Sequence, residues 1–267
     1  MATPKNQSVI KAFKLLGAFR QPDEWLTSVE LSRRVNLPAA SGYRLIQTLE
    51  ELGAIVRGPR GRYRPGMLLV SLSHNVATGE ILRDLSQPIL SDLAKCLDVT
   101  VHVGVLEGGM VTYIAKLGSA HSAVHTRVGA QLEAYTTGLG KVLLAALPED
   151  ALEAIIHDGD LVPLTPFTIT NRALLRSELS KVRQQGYALD NQESSLNLRC
   201  VAVPVKDADG TVIAAISASD DTQKMTGDDR IVEARDALLA AAAAIRQKLY
   251  PAPRFQSARI CRELLSA

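Results

Sequence analysis

Residues 28–53 read SVELSRRVNLPAASGYRLIQTLEELG, and the apolar spacing in this stretch decides the architecture of the N-terminal part of the chain. Thr27 and Glu30 have capping-box spacing, and Val29, Leu31 and Val35 give an apolar stripe that stops at Asn36-Leu37-Pro38. A further helix follows from about Pro38 to Leu52. It carries Leu45, Ile46, Leu49 and Leu52 on one face and Ser41, Arg44, Gln47, Thr48 and Glu51 on the other, with Gly53 as its C-cap. Upstream, Val9, Ile10, Ala12, Phe13, Leu15, Leu16 and Phe19 predict an amphipathic helix over 8–19 that ends before Gln21-Pro22. Helix, short turn, helix is the pattern of a helix-turn-helix. Gly42 is unusual inside the last of these helices, where it costs about 1 kcal/mol relative to Ala. Its expected compensation is close approach to a DNA backbone.

Downstream, Ala54-Ile55-Val56 reads as a short strand, and 57–64, RGPRGRYR, places Arg57, Arg60, Arg62 and Arg64 around a Gly/Pro turn. Such a hairpin is the wing of a winged helix-turn-helix, because a guanidinium offers phosphate oxygens a fork of donors. Charge agrees with this reading. Residues 1–75 hold 11 Lys and Arg against 5 Asp and Glu, whereas 76–267 hold 19 against 23. A basic module that meets a polyanion is thus joined to an acidic one. The candidate DNA contacts are Ser41, Tyr43, Arg44 and Thr48 on the recognition helix, with Arg44 set for a guanine or phosphate. Arg57, Arg60 and Arg62 are the candidates on the wing.

Composition limits the remaining classes. The chain has 267 residues, 46% hydrophobic and 22% charged, an ordinary globular balance that excludes collagen-like and wholly disordered readings. Its apolar run ending at Ile245 is far short of the roughly 20 residues of a membrane span, and the N-terminus has no signal-peptide pattern. No membrane contact is expected. Cys96, Cys200 and Cys261 form neither a disulfide framework nor a zinc ribbon, which suits a cytoplasmic protein.

Residues 66–79 read as a linker helix whose stripe of Leu68, Leu69, Leu72 and Val76 is expected to pack on a partner chain. A helix over 80–97 follows, with Pro88 as a point where a fresh helix can start. Strands are expected over Val99–Leu106, Met110–Leu117, Ser122–Val128, Cys200–Lys206 and Thr211–Ser219. Helices are expected over Gly138–Leu147, Glu149–His157, Asn171–Gln185 and Gly227–Leu249. The mixed order argues an α+β domain of sensor type, and the tail after Pro251 reads as loosely attached.

Several motifs in this half fail on inspection. Thr137-Gly138-Leu139-Gly140-Lys141 ends like a phosphate loop but has Tyr135 at the first glycine and Val142 at the magnesium position. Gly138 and Gly140 nevertheless expose backbone N–H groups at a helix start, an anion site suited to a carboxylate. His121 and His125 lack a companion carboxylate and sit in an alternating segment, so no metal is expected. No Gly-x-Ser-x-Gly elbow is present, and Cys200 lies inside a strand pattern. Asp190, Ser217 and Ser219 are polar positions in apolar strands, and the two serines share one face. If that face is interior, a ligand is one way to give their hydroxyls partners.

Three stretches carry a resemblance to the IclR family of bacterial transcriptional regulators: the helix-turn-helix with its wing RGPRGRYR, TTGLGKVLLAALPED, and RCVAVPVKDADGTVIAAISAS. The resemblance implies a winged helix-turn-helix over 1–65, a linker helix over 66–79, a GAF-like effector-binding domain over 80–250 and a tail over 251–267. It also implies a homodimer or tetramer on double-stranded operator DNA, without a cofactor or catalysis, controlled by a small carboxylate. Gly138 and Leu139 would give N–H groups to that carboxylate, Asp190, Cys200, Ser217 and Ser219 would line the rest, and Leu132 and His121 would form side walls. The chain departs from the family in having Asn197 where a glycine often precedes the Leu-x-Cys element, and a bulky Leu139. Two alternatives from other classes are a small-molecule enzyme using Cys200 and a non-specific DNA binder.

Overall fold

In a computed structural model the described residues are 4–21, 23–118, 124, 126–158 and 161–251. The chain divides into two compact units, one ending at Ala77 and the other beginning at Thr78.

The first unit runs α1 (Gln7–Leu16), β1 (Leu26–Thr27), α2 (Ser28–Arg34), α3 (Ala39–Glu51), β2 (Ile55–Arg57), β3 (Arg62–Pro65) and α4 (Met67–Ser73). The capping box at Thr27 forms fully: its side chain accepts from Glu30 N, and the Glu30 carboxylate accepts from Thr27 N at 2.8 Å. The turn between α2 and α3 passes through Asn36 at φ 56°, a left-handed position that Asn tolerates well. Leu15, Leu31, Ile46, Leu49, Ile55 and Tyr63 make the core, and β3 pairs with both β1 and β2 in antiparallel fashion. Arg34 ties α2 to the α1–β1 connection, donating to Ala18 O and to Glu24, and it holds the Glu24 carboxyl down at about 2.

Two expectations change here. Gly42 is buried, and a Cβ built on it would fall 2.0 Å from Ser32 Oγ, so the close approach it permits is that of α3 to α2 and not to DNA. The connecting helix is also shorter than expected, ending at Ser73. Its Leu68 and Leu69 pack against the core of their own unit, while Leu72, and Val76 beyond its end, stay exposed.

The second unit opens with α5 (Thr78–Leu97), which continues through Pro88 without a fresh start. It continues with β4 (Thr100–Glu107), β5 (Met110–Leu117), β6 (Gln131–Glu133), α6 (Gly138–Ala145), α7 (Glu149–Asp158), α8 (Arg172–Gln185), β7 (Ala188–Asn191), β8 (Leu198–Lys206), β9 (Val212–Asp221) and α9 (Asp228–Leu249). The strand expected over 122–128 does not form among its described residues; the third strand is β6. Six antiparallel strands follow the order β6-β5-β4-β9-β8-β7. Strand alternation separates two cores. Val101, Val103, Val201, Val203 and Ile216 pack with α5 and α9, while Tyr113, Ala202 and Ala215 pack with α6, α7 and α8. The unit is therefore an α+β domain in which one antiparallel sheet is covered on both faces. His121, His125, Cys261 and the tail after Pro251 lie outside the described residues.

Candidate DNA interface and effector cavity

The exposed face of α3 carries Tyr43, Arg44, Gln47 and Thr48, whereas Ser41 is half-buried. Gln47 Nε2 donates to Tyr43 Oη at 3.3 Å, and the Thr48 hydroxyl donates back to Arg44 O at 3.1 Å. The wing turns through Arg60 and Gly61, both at positive φ, and closes with Gly58 N donating to Arg62 O at 2.7 Å. Arg57, Arg60, Arg62 and Arg64 are exposed. Trp25, which the sequence reading did not single out, sets the wing in place. Its ring fills the space that a Cβ on Gly58 would need, and the Arg64 guanidinium lies over it, 4.9 Å from the centroid.

On the α6 side of the second unit's sheet, strand register builds a polar surface from residues far apart in sequence. Asp190 pairs with Cys200, Cys200 with Ser219 and Ser219 with Thr100, forming one row across four strands. In the next row on the same face, Ala202 pairs with Ser217 and Ser217 with His102. This surface and the start of α6 enclose a cavity lined by Leu132, Leu139, Asp190, Cys200, Ser217 and Ser219 among the expected residues. Gly138 lies against the sheet instead, where an added Cβ would stand 3.2 Å from Cys200 Sγ. His121 cannot be placed, being outside the described residues.

The sequence reading missed His102, Tyr113, Thr126, Ser194 and Leu198, which also line the cavity. His102 could have been found by extending the two-residue alternation from β9 to its neighbour, but only once the β4–β9 pairing was known. Its Nε2 lies 2.7 Å from Thr126 Oγ1, and its ring meets Tyr113 edge to face. Burial and the Lys116 ammonium push its pKa down to about 3, so the imidazole is neutral.

Hydrogen bonding leaves specific groups open. Thr137 Oγ1 caps α6 by accepting from Gly140 N at 2.9 Å, while the N–H groups of Gly138 and Leu139, as in the first turn of any helix, have no partner within α6. Ser217 Oγ is buried without a partner. Asp190 accepts from Glu193 N at 2.7 Å and from the Ser194 hydroxyl at 2.5 Å, and burial raises its pKa against the pull of those bonds. The Cys200 thiol is pushed up to about 12 by burial and by Asp190, which suits it to packing rather than to nucleophilic attack. Asn197, which stands where the resemblance leads one to expect a glycine, adopts φ 60°, a left-handed position that Asn tolerates.

Behind the Asp190 loop, Lys141 of α6 is fully buried. Its Nζ lies 2.6 Å from Glu193 Oε1 and 3.5 Å from Glu178 Oε1, while the Glu193 carbonyl accepts from the hydroxyls of Thr165 and Thr168. This network fixes the backbone whose N–H groups hold Asp190. The cavity itself is small, about 30 Å³, room for one or two waters. A separate recess of about 400 Å³, lined by Met110, Leu144, Ile155, Leu161 and Leu175, contains none of the expected residues. No cluster of metal-ligating side chains and no helix long and apolar enough to cross a membrane occurs among the described residues.

Comparison with known proteins matches these two parts separately. The family described as IclR helix-turn-helix domain matches residues 8–59, and that described as bacterial transcriptional regulator IclR C-terminal matches residues 74–247. The chain belongs to the IclR family. The HTH-type transcriptional regulator XynR of Escherichia coli is 35% identical over 252 residues, covering 93% of this chain and 100% of that protein. KdgR of the same organism is 33% identical, covering 85% of this chain and 86% of its own length. The crystal structure of the Thermotoga maritima IclR aligns with a TM-score of 0.60 at 31% identity, covering 91% of this chain and 98% of that one. This IclR-family member is thus a DNA-binding transcriptional regulator, with a helix-turn-helix followed by an effector-binding domain. Its relatives are named as regulators, not as enzymes.

Proposed function

We propose that the chain is an operator-specific regulator, active in the cytoplasm as a homodimer or tetramer, whose affinity for double-stranded DNA is set by a small carboxylate. The first unit reads the operator with Tyr43, Arg44 and Thr48, Ser41 contributing from the edge of the face, and grips phosphates with Arg57, Arg60 and Arg62. The second unit receives the carboxylate at the N–H groups of Gly138 and Leu139, among Leu132, Asp190, Cys200, Ser217 and Ser219.

One observation carries the effector half of this reading. The buried Ser217 hydroxyl has no partner, and it lines the same cavity as the start of α6, where backbone donors are open. Leaving such groups unmet is costly unless something visits them. Because the cavity is about 30 Å³, an effector larger than a few atoms has to move a wall to enter. A ligand that favours the widened arrangement shifts the population of conformations, and only that difference in affinity reaches the DNA.

The test pairs two measurements on the full chain: thermal unfolding against a panel of carboxylic acids, and DNA binding with and without the acid that shifts it. An acid at a hundred times its Kd is expected to add about 2.7 kcal/mol. It should also change operator affinity without changing affinity for scrambled DNA by the same factor. Operator and scrambled DNA bound equally well would overturn the specific-regulator reading.

A further inference from the structure

We infer that Trp25 is the positioning residue of the wing: its indole holds Arg57, Arg60 and Arg62 in the geometry that meets phosphates, so that an uncharged side chain governs the salt-dependent part of DNA binding. This rests on the wing contacts proposed above.

The register of the small sheet sets Thr27 opposite Arg62 and Val56 opposite Arg64. Side chains alternate along a strand, so Arg62 and Arg64 point away from the core that Tyr63 enters. Trp25 is half-buried and lies on that outer side, with the Arg64 guanidinium over its ring, 4.9 Å from the centroid. The ring reaches past β3 to the end of β2, where a Cβ on Gly58 would fall 2.1 Å from Cζ3 and 2.4 Å from Cη2. Gly58 itself has φ −112° and ψ −165°, extended backbone open to any residue. Glycine serves there by leaving room for the indole.

This contact meets the wing at the root of its turn. Gly58 N donates to Arg62 O at 2.7 Å, closing a loop whose tip passes through Arg60 at φ 59°. A non-glycine residue keeps that left-handed conformation only where its surroundings impose it. Trp25 is anchored on either side of its own position. Glu24 before it accepts at both carboxylate oxygens from the Arg34 guanidinium of α2, and Thr27 after it caps α2. The indole thus ties the wing to α2, which crosses α3 at Ser32 and Gly42. Phosphate-binding arginines and base-reading helix are held in one frame, and groups held in their bound arrangement lose less freedom on binding.

The experiment uses the full chain and a labelled mixed-sequence duplex, with anisotropy followed over a range of salt. Trp25 is the chain's one tryptophan, so its emission reports the contact directly. Gly58→Ala is the mildest perturbation, because the added methyl has only to displace the end of a side chain. Its emission should move to longer wavelength and open to acrylamide, while the helical circular dichroism stays the same. Trp25→Ala and Gly58→Ala should each bind about tenfold more weakly and lower the salt slope by about one or more, although neither removes a charge. Trp25→Phe, which keeps a ring over the glycine, should restore most of the slope. Gly58→Ala added to Trp25→Ala should cost little more, since the ring it displaces is gone. A slope unchanged in both single variants, while Arg60→Ala lowers it, overturns this inference and leaves the wing contacts standing. A slope unchanged in Arg60→Ala and Arg62→Ala as well removes the wing contacts, and the inference with them. Should Trp25→Ala fail to fold, Gly58→Ala decides alone: a shifted emission with the parent's slope, or an emission that does not move, overturns the inference.

Discussion

Ser32 occupies the space that any side chain at position 42 would require: a Cβ on Gly42 would lie 2.0 Å from Ser32 Oγ and 2.9 Å from its Cβ. Ser32 is itself fixed, donating to Ser28 O at 2.7 Å along α2. The glycine therefore sets how closely the two helices of the DNA-binding unit can cross. Gly42→Ala gains about 1 kcal/mol of helix propensity but overpacks the crossing, for a net loss of about 1–3 kcal/mol in urea unfolding. Ser32→Gly in the same chain should recover most of it. A Gly42→Ala protein as stable as the parent would refute the packing account.

The wing arginines and the recognition helix should separate in their effects. Arg60→Ala and Arg62→Ala are expected to weaken binding to all DNA sequences alike and to lower the salt slope by about one each, as lost phosphate contacts do. Arg44→Ala should cost about 1–3 kcal/mol on the preferred sequence and much less on scrambled DNA. Fluorescence anisotropy at several salt concentrations distinguishes the two patterns, and a wing variant with an unchanged salt slope would place the phosphates elsewhere.

Lys141 holds two carboxylates in a buried place, so its charge cannot be removed without leaving them uncompensated. Lys141→Met is expected to destabilise the second unit by about 3–5 kcal/mol, and Lys141→Met/Glu193→Gln by clearly less. Denaturant unfolding of the full chain reads this directly. A loss below about 1 kcal/mol for the single variant would mean the network is not a support of the Asp190 loop.

His102 gives the second unit a signature against pH. In the unfolded chain it takes a proton near its ordinary 6.5, whereas in the fold burial and Lys116 delay this until about 3. Its contribution to stability is therefore complete above pH 6.5 and is lost as pH falls toward 3, at up to roughly 1.4 kcal/mol per unit. Asp190 and Glu193 run the other way, since burial raises both and the fold takes up their protons before the unfolded chain does. The histidine is thus read best above the carboxylate range. Between pH 7 and 5.5 the parent should lose about 1 kcal/mol that His102→Gln does not lose. Parallel pH profiles for the two proteins would show that His102 titrates normally.

Much of the DNA-binding unit was legible because its signals are local. The capping residues Thr27 and Glu30, the break at Asn36-Leu37-Pro38 and the arginines around Gly58-Pro59 each act within a few residues, and each forms as read. The hairpin of β8 and β9 was likewise visible in Asp207-Ala208-Asp209-Gly210, where Asp207 caps the turn by accepting from Asp209 N and Thr211 N. The described residues among 122–128 form no strand, because alternating sequence does not say whether an edge position finds a neighbour. Trp25 escaped notice because a single aromatic residue has no periodicity.

The sequence by itself determined the helix-turn-helix, the β2–β3 and β8–β9 hairpins and most of the helices of the second unit, and that the basic charge lies in the first 75 residues. These follow from backbone sterics, capping and side-chain periodicity, all short-range. Only the tertiary structure decided that β4 pairs with β9, so that His102 stands opposite Ser217, that Lys141 is buried against Glu193, and that Gly42 serves Ser32. Those are matters of register and burial between distant segments. In the second unit they are fixed by the joint packing of two cores around one sheet, and in the first by the crossing of α2 and α3, which no single periodic stretch contains.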